Sequence, residues 1–253
     1  MEDYQLLLSE KTLKSLCKTS DVEKKTGRNL KSIVSSLLTE LVAGEWRNDP
    51  SSFLNIWDGS DISLQELNLW VDKNTGVILH SAEVVSDVFA VWEIKWTFDI
   101  SHMLTQAYID DDSYDYKSYV KKHVILHRFG RFPGNLEALL KINNNSYEKL
   151  DFKDYVISAT PPSEEDCETH EAFHILPKTM VDSVLEGKQQ KLLLHLTSKQ
   201  ARVIRRKRGP VLLSGEAGSG KTSAIVHWFF TNLNENAKRQ LFITLSGNLA
   251  RET

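Results

Sequence analysis

The sequence predicts an α/β protein, with a small α+β domain first and the beginning of a parallel sheet near the carboxyl end. Two observations predict this class. Residues 24–96 change from a helical hydrophobic pattern to stretches with apolar side chains at every second position, and residues 211–230 read as strand, glycine-rich loop and helix. The expected regions are an N-terminal segment (1–20), the α+β domain (21–135), a polar linker (136–190) and the incomplete parallel sheet (191–253).

The α+β domain begins with an amphipathic helix over residues 24–42. Its apolar residues recur at steps of three and four: Leu30, Ile33, Val34, Leu37, Leu38 and Leu41. Gly44 is a suitable stop, because glycine is favoured just after a helix. Two period-two stretches follow, at 67–71 and 88–96, and a turn at 72–76 comes between them. The second stretch is mostly apolar, which predicts a strand in the interior of a sheet.

Residues 122–133 combine basic and aromatic side chains, and two interpretations stay open. The residues concerned are His123, His127, Arg128, Phe129, Arg131 and Phe132. Together they suit a surface that stacks unpaired bases and binds phosphates. The pattern is also typical of a strand that runs into a loop, buries its aromatic rings and leaves its arginines in water. We favour the strand.

Residues 170–174 match H-E-x-x-H, in which two histidines on one helical face bind Zn²⁺ and the glutamate acts as base. A zinc peptidase would need a stable helix at this position and a third ligand. Pro177 follows His174 closely, and residues 143–168 are polar with runs typical of an exposed linker. A zinc peptidase is therefore the least favoured hypothesis.

Residues 215–222 fit the phosphate-loop pattern G-x-x-x-x-G-K-[ST] at every fixed position. The apolar run at 211–214 predicts a buried strand before the loop, and residues 223–230 predict a helix after it. This order is typical of a P-loop NTPase, and a glycine-rich turn that matches by chance is the alternative. The expected nucleotide-binding residues are Gly215, Glu216, Ala217, Gly218, Ser219, Gly220, Lys221, Thr222 and Ser223.

Each residue type in the loop suits a triphosphate. The glycines let backbone N–H groups surround the anion, and the phosphates face the positive end of the following helix. Lys221 is the expected catalytic residue, because its charge reaches the β- and γ-phosphates. The Thr222 hydroxyl is the expected ligand of Mg²⁺. The predicted cofactors are ATP and Mg²⁺.

The order of the segments around the loop resembles the opening of UvrD/Rep-type superfamily 1 helicases. Residues 196–200 precede the loop and residues 241–250 follow it, and the resemblance covers about residues 191–253. It implies a RecA-like motor, a DNA or RNA helicase or translocase that couples ATP hydrolysis to movement. It also implies that Gln200 recognises adenine, so that ATP is preferred to GTP. By the same resemblance Thr244, Ser246 and Asn248 contact single-stranded nucleic acid.

Residues alone leave alternatives at Gln200, at residues 246–248 and at a basic cluster that follows Gln200. Thr197 and Gln200 have the spacing of a helix capping box, in which Gln200 bonds to the Thr197 backbone instead of adenine. Residues 246–248 also suit a plain turn. The basic cluster at Arg202 and 205–208 suits phosphate steering, a nuclear import signal or a solvated helix end.

Hydrolysis by this family needs an acidic strand and an arginine finger, which we expect to lie in sequence beyond Thr253. We therefore expect a fragment or the N-terminal portion of a larger helicase-like protein. The hypotheses are an ATP-driven motor and, as the alternative, a nucleotide-regulated interaction protein without turnover.

The α+β domain resembles the RelE/ParE-type toxin fold, which precedes the motor in some large helicase-like proteins. The resemblance rests on the Leu-x-x-Gly-Glu-Trp end of the helix at 41–46 and on strands that end in residues 91–94. No clustered acid, base and cationic side chains mark a ribonuclease site. We expect an interaction or structural module that binds a protein partner.

Composition sets the outer bounds. The 253 residues are 41% hydrophobic and 26% charged, with a net charge of −3, as in ordinary globular proteins. No apolar run is long enough for a bilayer span, so no membrane partner is expected. The acidic start lacks the layout of a secretory signal, and Cys17 and Cys167 predict no disulfide framework. These features favour an intracellular location, in the nucleus or cytoplasm.

Overall fold

The computed structural model places the chain in a mixed α/β arrangement. The residues that it describes are 5–26, 30–43, 66–85, 87–99, 102, 115–131, 147–151, 158–169, 171–188, 192, 194–197, 199–201, 212–214, 221–222 and 224–225. By contacts the chain divides into two compact units. The first unit comprises 1–96, 122–162 and 173–193, and the second comprises 97–121, 163–172 and 194–253.

In the part of the chain that the structure describes, eight strands form one mixed sheet. In chain order they are β1 (Leu6–Leu8), β2 (Glu66–Asp72), β3 (Ile78–Val85), β4 (Val88–Phe98), β5 (Val120–Arg131), β6 (Tyr147–Leu150), β7 (Phe173–Leu176) and β8 (Leu194–His195). Their order across the sheet is β6-β2-β3-β4-β5-β1-β7-β8. Strand β1 runs parallel to β5, whereas β1–β7, β2–β3, β2–β6 and β3–β4 are antiparallel pairs. The sheet is therefore mixed and only partly parallel. The parallel P-loop NTPase sheet expected at 191–253 stays a prediction.

In the described part of the first unit, four helices pack on one face of this sheet. They are α1 (Glu10–Leu16), α2 (Thr19–Thr26), α3 (Leu30–Ala43) and α4 (Val181–Leu185). The apolar stripe of α3, which includes Leu37, Leu38 and Leu41, is fully buried against Leu6 and Leu8 of β1 and the inward residues of β3 to β5. Burial of this kind is the main stabilising force of a small domain. Within the described helices, none is long and apolar enough to cross a bilayer.

The structure confirms several of the predicted elements. Helix α3 covers residues 30–42 of the helix predicted at 24–42, whereas residues 24–26 belong to α2. Strands β2 and β4 cover the period-two stretches. Strand β4 lies inside the sheet, as its apolar composition predicts. At the turn, Asp72 accepts hydrogen bonds from the Asn74 N–H and the Thr75 hydroxyl, and Gly76 has φ of 71°. Glycine suits that left-handed conformation because it has no Cβ.

The described parts of two regions carry more structure than their sequence predicts. Residues 1–20 contain β1 in the interior of the sheet, together with α1. The prediction of a polar linker over 136–190 is wrong for the residues that form β6, β7 and α4. Helix α4 ends at Leu185, and Gly187 follows it with φ of 70°. A Cβ at Gly187 would approach the Cys17 carbonyl oxygen to 3.0 Å. Strands β6 and β7 and helix α4 are therefore part of the first unit.

Polar contacts hold α4 onto α2 and α3 within the first unit. The Ser20 hydroxyl donates to the Leu185 carbonyl at 2.7 Å, and the Ser35 hydroxyl donates to Asp182 at 2.8 Å. Glu186 accepts from the ammonium groups of Lys31 and Lys188, each at 2.6 Å. These bonds hold α4 at a fixed position on the helical layer.

Candidate nucleotide-binding site

The helix that carries Gln200 begins with a capping box. The Thr197 N–H donates to the Gln200 Oε1 at 2.9 Å, and the Gln200 N–H donates to the Thr197 Oγ1 at 3.3 Å. The Ala201 N–H donates to the Thr197 carbonyl at 2.9 Å, which is the first bond of the helix. The reciprocal pair satisfies two N–H groups that a helix start otherwise leaves without partners.

The capping-box interpretation of Gln200 is thus confirmed, and its adenine contact stays a prediction. The two roles are compatible in principle, since a carboxamide oxygen accepts two hydrogen bonds and its nitrogen donates two. What the cap contributes is a fixed side-chain direction. Because Oε1 is held by the Thr197 N–H, the carboxamide of Gln200 is oriented before any base arrives.

Described residues of the phosphate-loop segment fit its predicted helix. Lys221, Thr222, Ala224 and Ile225 are helical, whereas residues 215–220 and Ser223 lie outside the described part. Ala224 is buried and Ile225 is 38% exposed, so one side of this helical turn faces protein and another faces solvent. Lys221 is half-buried and Thr222 is exposed. Thr222 is therefore accessible to a magnesium ion from solvent.

The strand predicted before the loop is wrong for residues 212–214. These residues have no strand conformation, and Leu212 is 94% exposed. An apolar run becomes a buried parallel strand only where neighbouring strands bond to it on both sides. Among the strands that the structure describes, none pairs with 212–214.

The remaining residues expected at this site lie outside the described ranges. They are Thr244, Ser246 and Asn248 of the nucleic-acid motif and the basic residues at 202 and 205–208. Their roles stay predictions.

A buried histidine near the capping box was not predicted. His195, on β8, is 1% exposed, and its Nε2 lies 2.9 Å from the Phe98 carbonyl oxygen and 3.3 Å from the Thr97 Oγ1. All three residues belong to the second unit. Burial is the main cause that lowers the pKa of His195 to about 4, so the ring is neutral at physiological pH. Only its place in an apolar run just before a capping box could have indicated this role.

Two ionic groups lie near this histidine within the second unit. Asp99 accepts from the Lys121 ammonium at 2.5 Å, and the Asp99 N–H donates to the Tyr119 carbonyl at 2.6 Å. The Asp99 charge raises the pKa of His195 and the Lys121 charge lowers it, but both effects are smaller than that of burial. An ion pair and a backbone hydrogen bond therefore connect the end of β4 to the start of β5 near His195.

The H-E-x-x-H segment does not have the geometry of a zinc peptidase in its described part. His174 lies on strand β7, opposite Leu8 of β1, so the second histidine is not on a helix. Its Nε2 lies 2.6 Å from the Glu10 Oε2, and His170 is outside the described residues. A hydrogen bond from Lys14 and then one from His174 lower the pKa of Glu10. Among the described residues, no three His, Cys, Asp or Glu side chains gather as a metal site.

The basic and aromatic stretch at 122–133 forms strand β5, up to Arg131. Phe129 is buried, as the strand interpretation predicts, and His123 is fully buried. His127 lies 3.3 Å from the Glu93 carboxylate, and Arg131 lies 3.5 Å from Asp87. These basic groups thus face carboxylates of the same unit, which argues against a phosphate-binding surface. Phe132 and Pro133 lie outside the described residues.

Both cysteines are free thiols, so the expectation of no disulfide is confirmed for Cys17 and Cys167. Burial raises the pKa of the Cys17 thiol, which makes it a poor nucleophile near neutral pH. Neither thiol belongs to the candidate site.

Comparisons with protein-family models, with curated proteins and with solved structures found no match. The functional argument therefore depends on the residues of this chain.

Proposed function

We propose that the chain binds magnesium and ATP through the phosphate loop at 215–222. The observation that carries the proposal is the complete loop pattern, together with the helical conformation of Lys221 and Thr222 at its end. In a phosphate loop the lysine and the hydroxyl must stand in the first helical turn, because the loop amides and the helix start converge on the anion.

Each residue has a separate part in this binding. The loop amides of 215–220 surround the phosphates, and the ammonium of Lys221 neutralises charge on the β- and γ-phosphates. The Thr222 hydroxyl would hold Mg²⁺, which would supply positive charge that offsets the charge of the phosphates. The exposure of Thr222 and the partial exposure of Lys221 fit this arrangement, since both side chains are accessible from solvent.

Gln200 is the proposed base-recognition residue. Its capped carboxamide has a fixed direction, and its N–H groups suit the N7 acceptor of adenine while its oxygen suits the N6 donor. Guanine has an acceptor at the place of the adenine N6 group, so a carboxamide that uses both groups prefers ATP to GTP.

The wider role that we propose is the ATP-binding N-terminal portion of a UvrD-like helicase or translocase. The support is the order of the glutamine helix, the loop and the threonine-containing segment at 241–250. In that role the second unit contributes phosphate binding, and residues Thr244, Ser246 and Asn248 contact single-stranded nucleic acid. The first unit, with its own apolar core, is a module for a protein partner.

The alternative is a nucleotide-regulated interaction protein, in which ATP is bound without turnover. The two roles differ in whether the bound ATP is hydrolysed. Turnover requires an acidic group that positions water and an arginine that stabilises the transferred phosphoryl group. Sustained phosphate release from the purified chain, lost on Lys221→Ala, would contradict the alternative and show that these groups are present.

Isothermal calorimetry with ATP in the presence of Mg²⁺ tests the binding itself. Loss of a charge-assisted hydrogen bond costs about 1.5–3 kcal/mol, so Lys221→Ala should weaken binding roughly 10- to 100-fold. Lys199→Ala is the matched control, because Lys199 is an exposed lysine on the nearby helix and no phosphate contact is proposed for it. Equal affinity of the wild type and Lys221→Ala, or no binding by the folded wild type, would refute the proposal.

A further inference from the structure

The buried imidazole of His195 has a defined protonation state. A carbonyl oxygen only accepts hydrogen bonds, so the 2.9 Å contact with the Phe98 oxygen requires the proton on Nε2. The Thr97 hydroxyl oxygen lies 3.3 Å from the same nitrogen and is its longer contact. His195 thus donates one buried hydrogen bond from β8 to the end of β4.

The contact lies close to the start of the Gln200 helix. Leu196 follows His195 and is 1% exposed, and Thr197 comes next as the residue that caps the helix. The N–H, the hydroxyl and the carbonyl of Thr197 all bond to residues 200 or 201. Only one residue, the buried Leu196, therefore separates His195 from the capping box in the chain.

We propose that His195 is a positioning residue for base recognition at the nucleotide site. By holding β8 against Phe98, it fixes where Thr197 lies and hence where the capping box directs the carboxamide of Gln200. This inference rests on the proposed function, since it assigns a role toward the same bound nucleotide. His195 does not touch the nucleotide in this account and acts only through Gln200.

A matched pair of amide variants separates the hydrogen bond from the bulk of the side chain. The amide nitrogen of glutamine in His195→Gln reaches about as far as Nε2, whereas that of asparagine in His195→Asn reaches only as far as Nδ1. Both replacements are polar, uncharged and able to donate. Only the longer one can restore the bond to the Phe98 oxygen.

Calorimetry of the full chain with ATP and with GTP, each with Mg²⁺, is the experiment. We expect His195→Gln to keep the wild-type affinity and preference for ATP. We expect His195→Asn to bind ATP roughly tenfold more weakly, with GTP affinity nearly unchanged, because only the base contact depends on Gln200. Two variants that both match the wild type, or that lose ATP and GTP affinity equally, would overturn the inference.

A double-mutant cycle that combines His195→Asn with Gln200→Glu gives a result that a purely structural role of His195 would not give. If His195 acts through Gln200, the effects of His195→Asn and Gln200→Glu on ATP affinity are not additive, and the double variant binds about as well as the weaker single variant. Additive effects would contradict the inference. A wild type that binds neither nucleotide would instead refute the proposed function.

Nitrogen-15 spectra of the wild-type histidine rings keep the inference testable even if a variant does not fold. The His195 Nε2–H signal should be present without ligand, and Mg²⁺ with ATP should slow the exchange of its proton with water. An Nε2–H exchange rate that is the same with and without bound ATP would contradict a link between the two.

Discussion

The two compact units of this chain differ in how they use their residues. In the first unit, leucines of β1, α3 and β5 are fully buried between a sheet and four helices, and its charged groups pair at the surface. In the second unit, the described residues next to the phosphate loop include Leu212 at 94% exposure, yet His195 and Thr97 are buried and bonded. We therefore expect stability and the proposed nucleotide recognition to depend on different side chains, so substitutions should separate them.

The largest expected effect is on the core of the first unit. Leu37→Ala removes a side chain with 0% exposure from the α3 stripe, which should lower the free energy of unfolding by about 3 kcal/mol. Urea denaturation followed by tryptophan fluorescence measures it. Val77→Ala, at a position that is 37% exposed, is the control and should change stability by less than about 0.5 kcal/mol. Similar losses in the two variants would argue against the described core.

The next effect concerns a buried histidine of the first unit. His80 stacks on Trp92 with ring centroids 5.5 Å apart, and burial lowers its pKa to about 3 from 6.5. The folded state therefore keeps His80 neutral while the unfolded state protonates it. This contribution to stability is complete above pH 6.5 and is lost as the pH falls toward 3. Between pH 7.5 and pH 5, this titration should lower the free energy of unfolding by about 2 kcal/mol.

Urea unfolding of the wild type and of His80→Leu at these two pH values checks this. The loss of stability on acidification should be about 2 kcal/mol smaller in the variant, because leucine does not titrate. Equal losses in the two proteins would show that His80 is protonated in the folded state.

In the second unit, the expected change is in affinity and not in stability. Gln200→Glu keeps an acceptor for the Thr197 N–H, so the capping box survives, but it removes the donor to adenine N7. ATP affinity should fall roughly tenfold, with little change in melting temperature. Thr197→Ala is the complementary variant, and it should cost about 1 kcal/mol of stability with a smaller change in affinity. If Gln200→Glu binds ATP like the wild type, the glutamine is only a cap.

The smallest effect belongs to the exposed charges of the first unit. Hydrogen bonds from Lys188 and then Lys31 lower the pKa of Glu186 to about 2 from 4.5. Its stabilising contribution is present above pH 4.5 and is lost as the pH falls toward 2. Carbon-13 titration of the carboxyl group should give a midpoint well below 4.5, and Lys188→Ala should raise it. A midpoint near 4.5 in the wild type would contradict the ion pairs.

Sequence patterns predicted α3, β2, β4 and β5, and they did not predict β3 or the short strands β1 and β7. The repeat of α3 and the alternation of β4 extend over enough residues to be recognised. Strand β1 has three leucines that are all buried, so it shows neither a helical nor an alternating pattern. Strand β7 is four residues long and overlaps the H-E-x-x-H match at residues 173 and 174, where His174 bonds to Glu10. Both strands take their conformation from partners distant in sequence, which local patterns do not reveal.

The candidate site was predictable to the extent that its chemistry is local. The phosphate loop and the capping box are contiguous motifs, and a short stretch of sequence contains every residue that they need. The bond from His195 to the Phe98 carbonyl joins positions far apart in the chain and uses a backbone oxygen, which has no sequence signature. The exposure of Leu212 was missed for a similar reason, because burial of a strand depends on its neighbours in space.

Hydrogen–deuterium exchange of the full chain, with and without ATP and Mg²⁺, tests the central claim most directly. The account predicts slower exchange of the amides at 215–222 and 197–201 when both ATP and Mg²⁺ are present, and unchanged exchange in β2, β3 and α3 of the first unit. Unchanged exchange at 215–222 under saturating ATP and Mg²⁺ would contradict nucleotide binding at the phosphate loop.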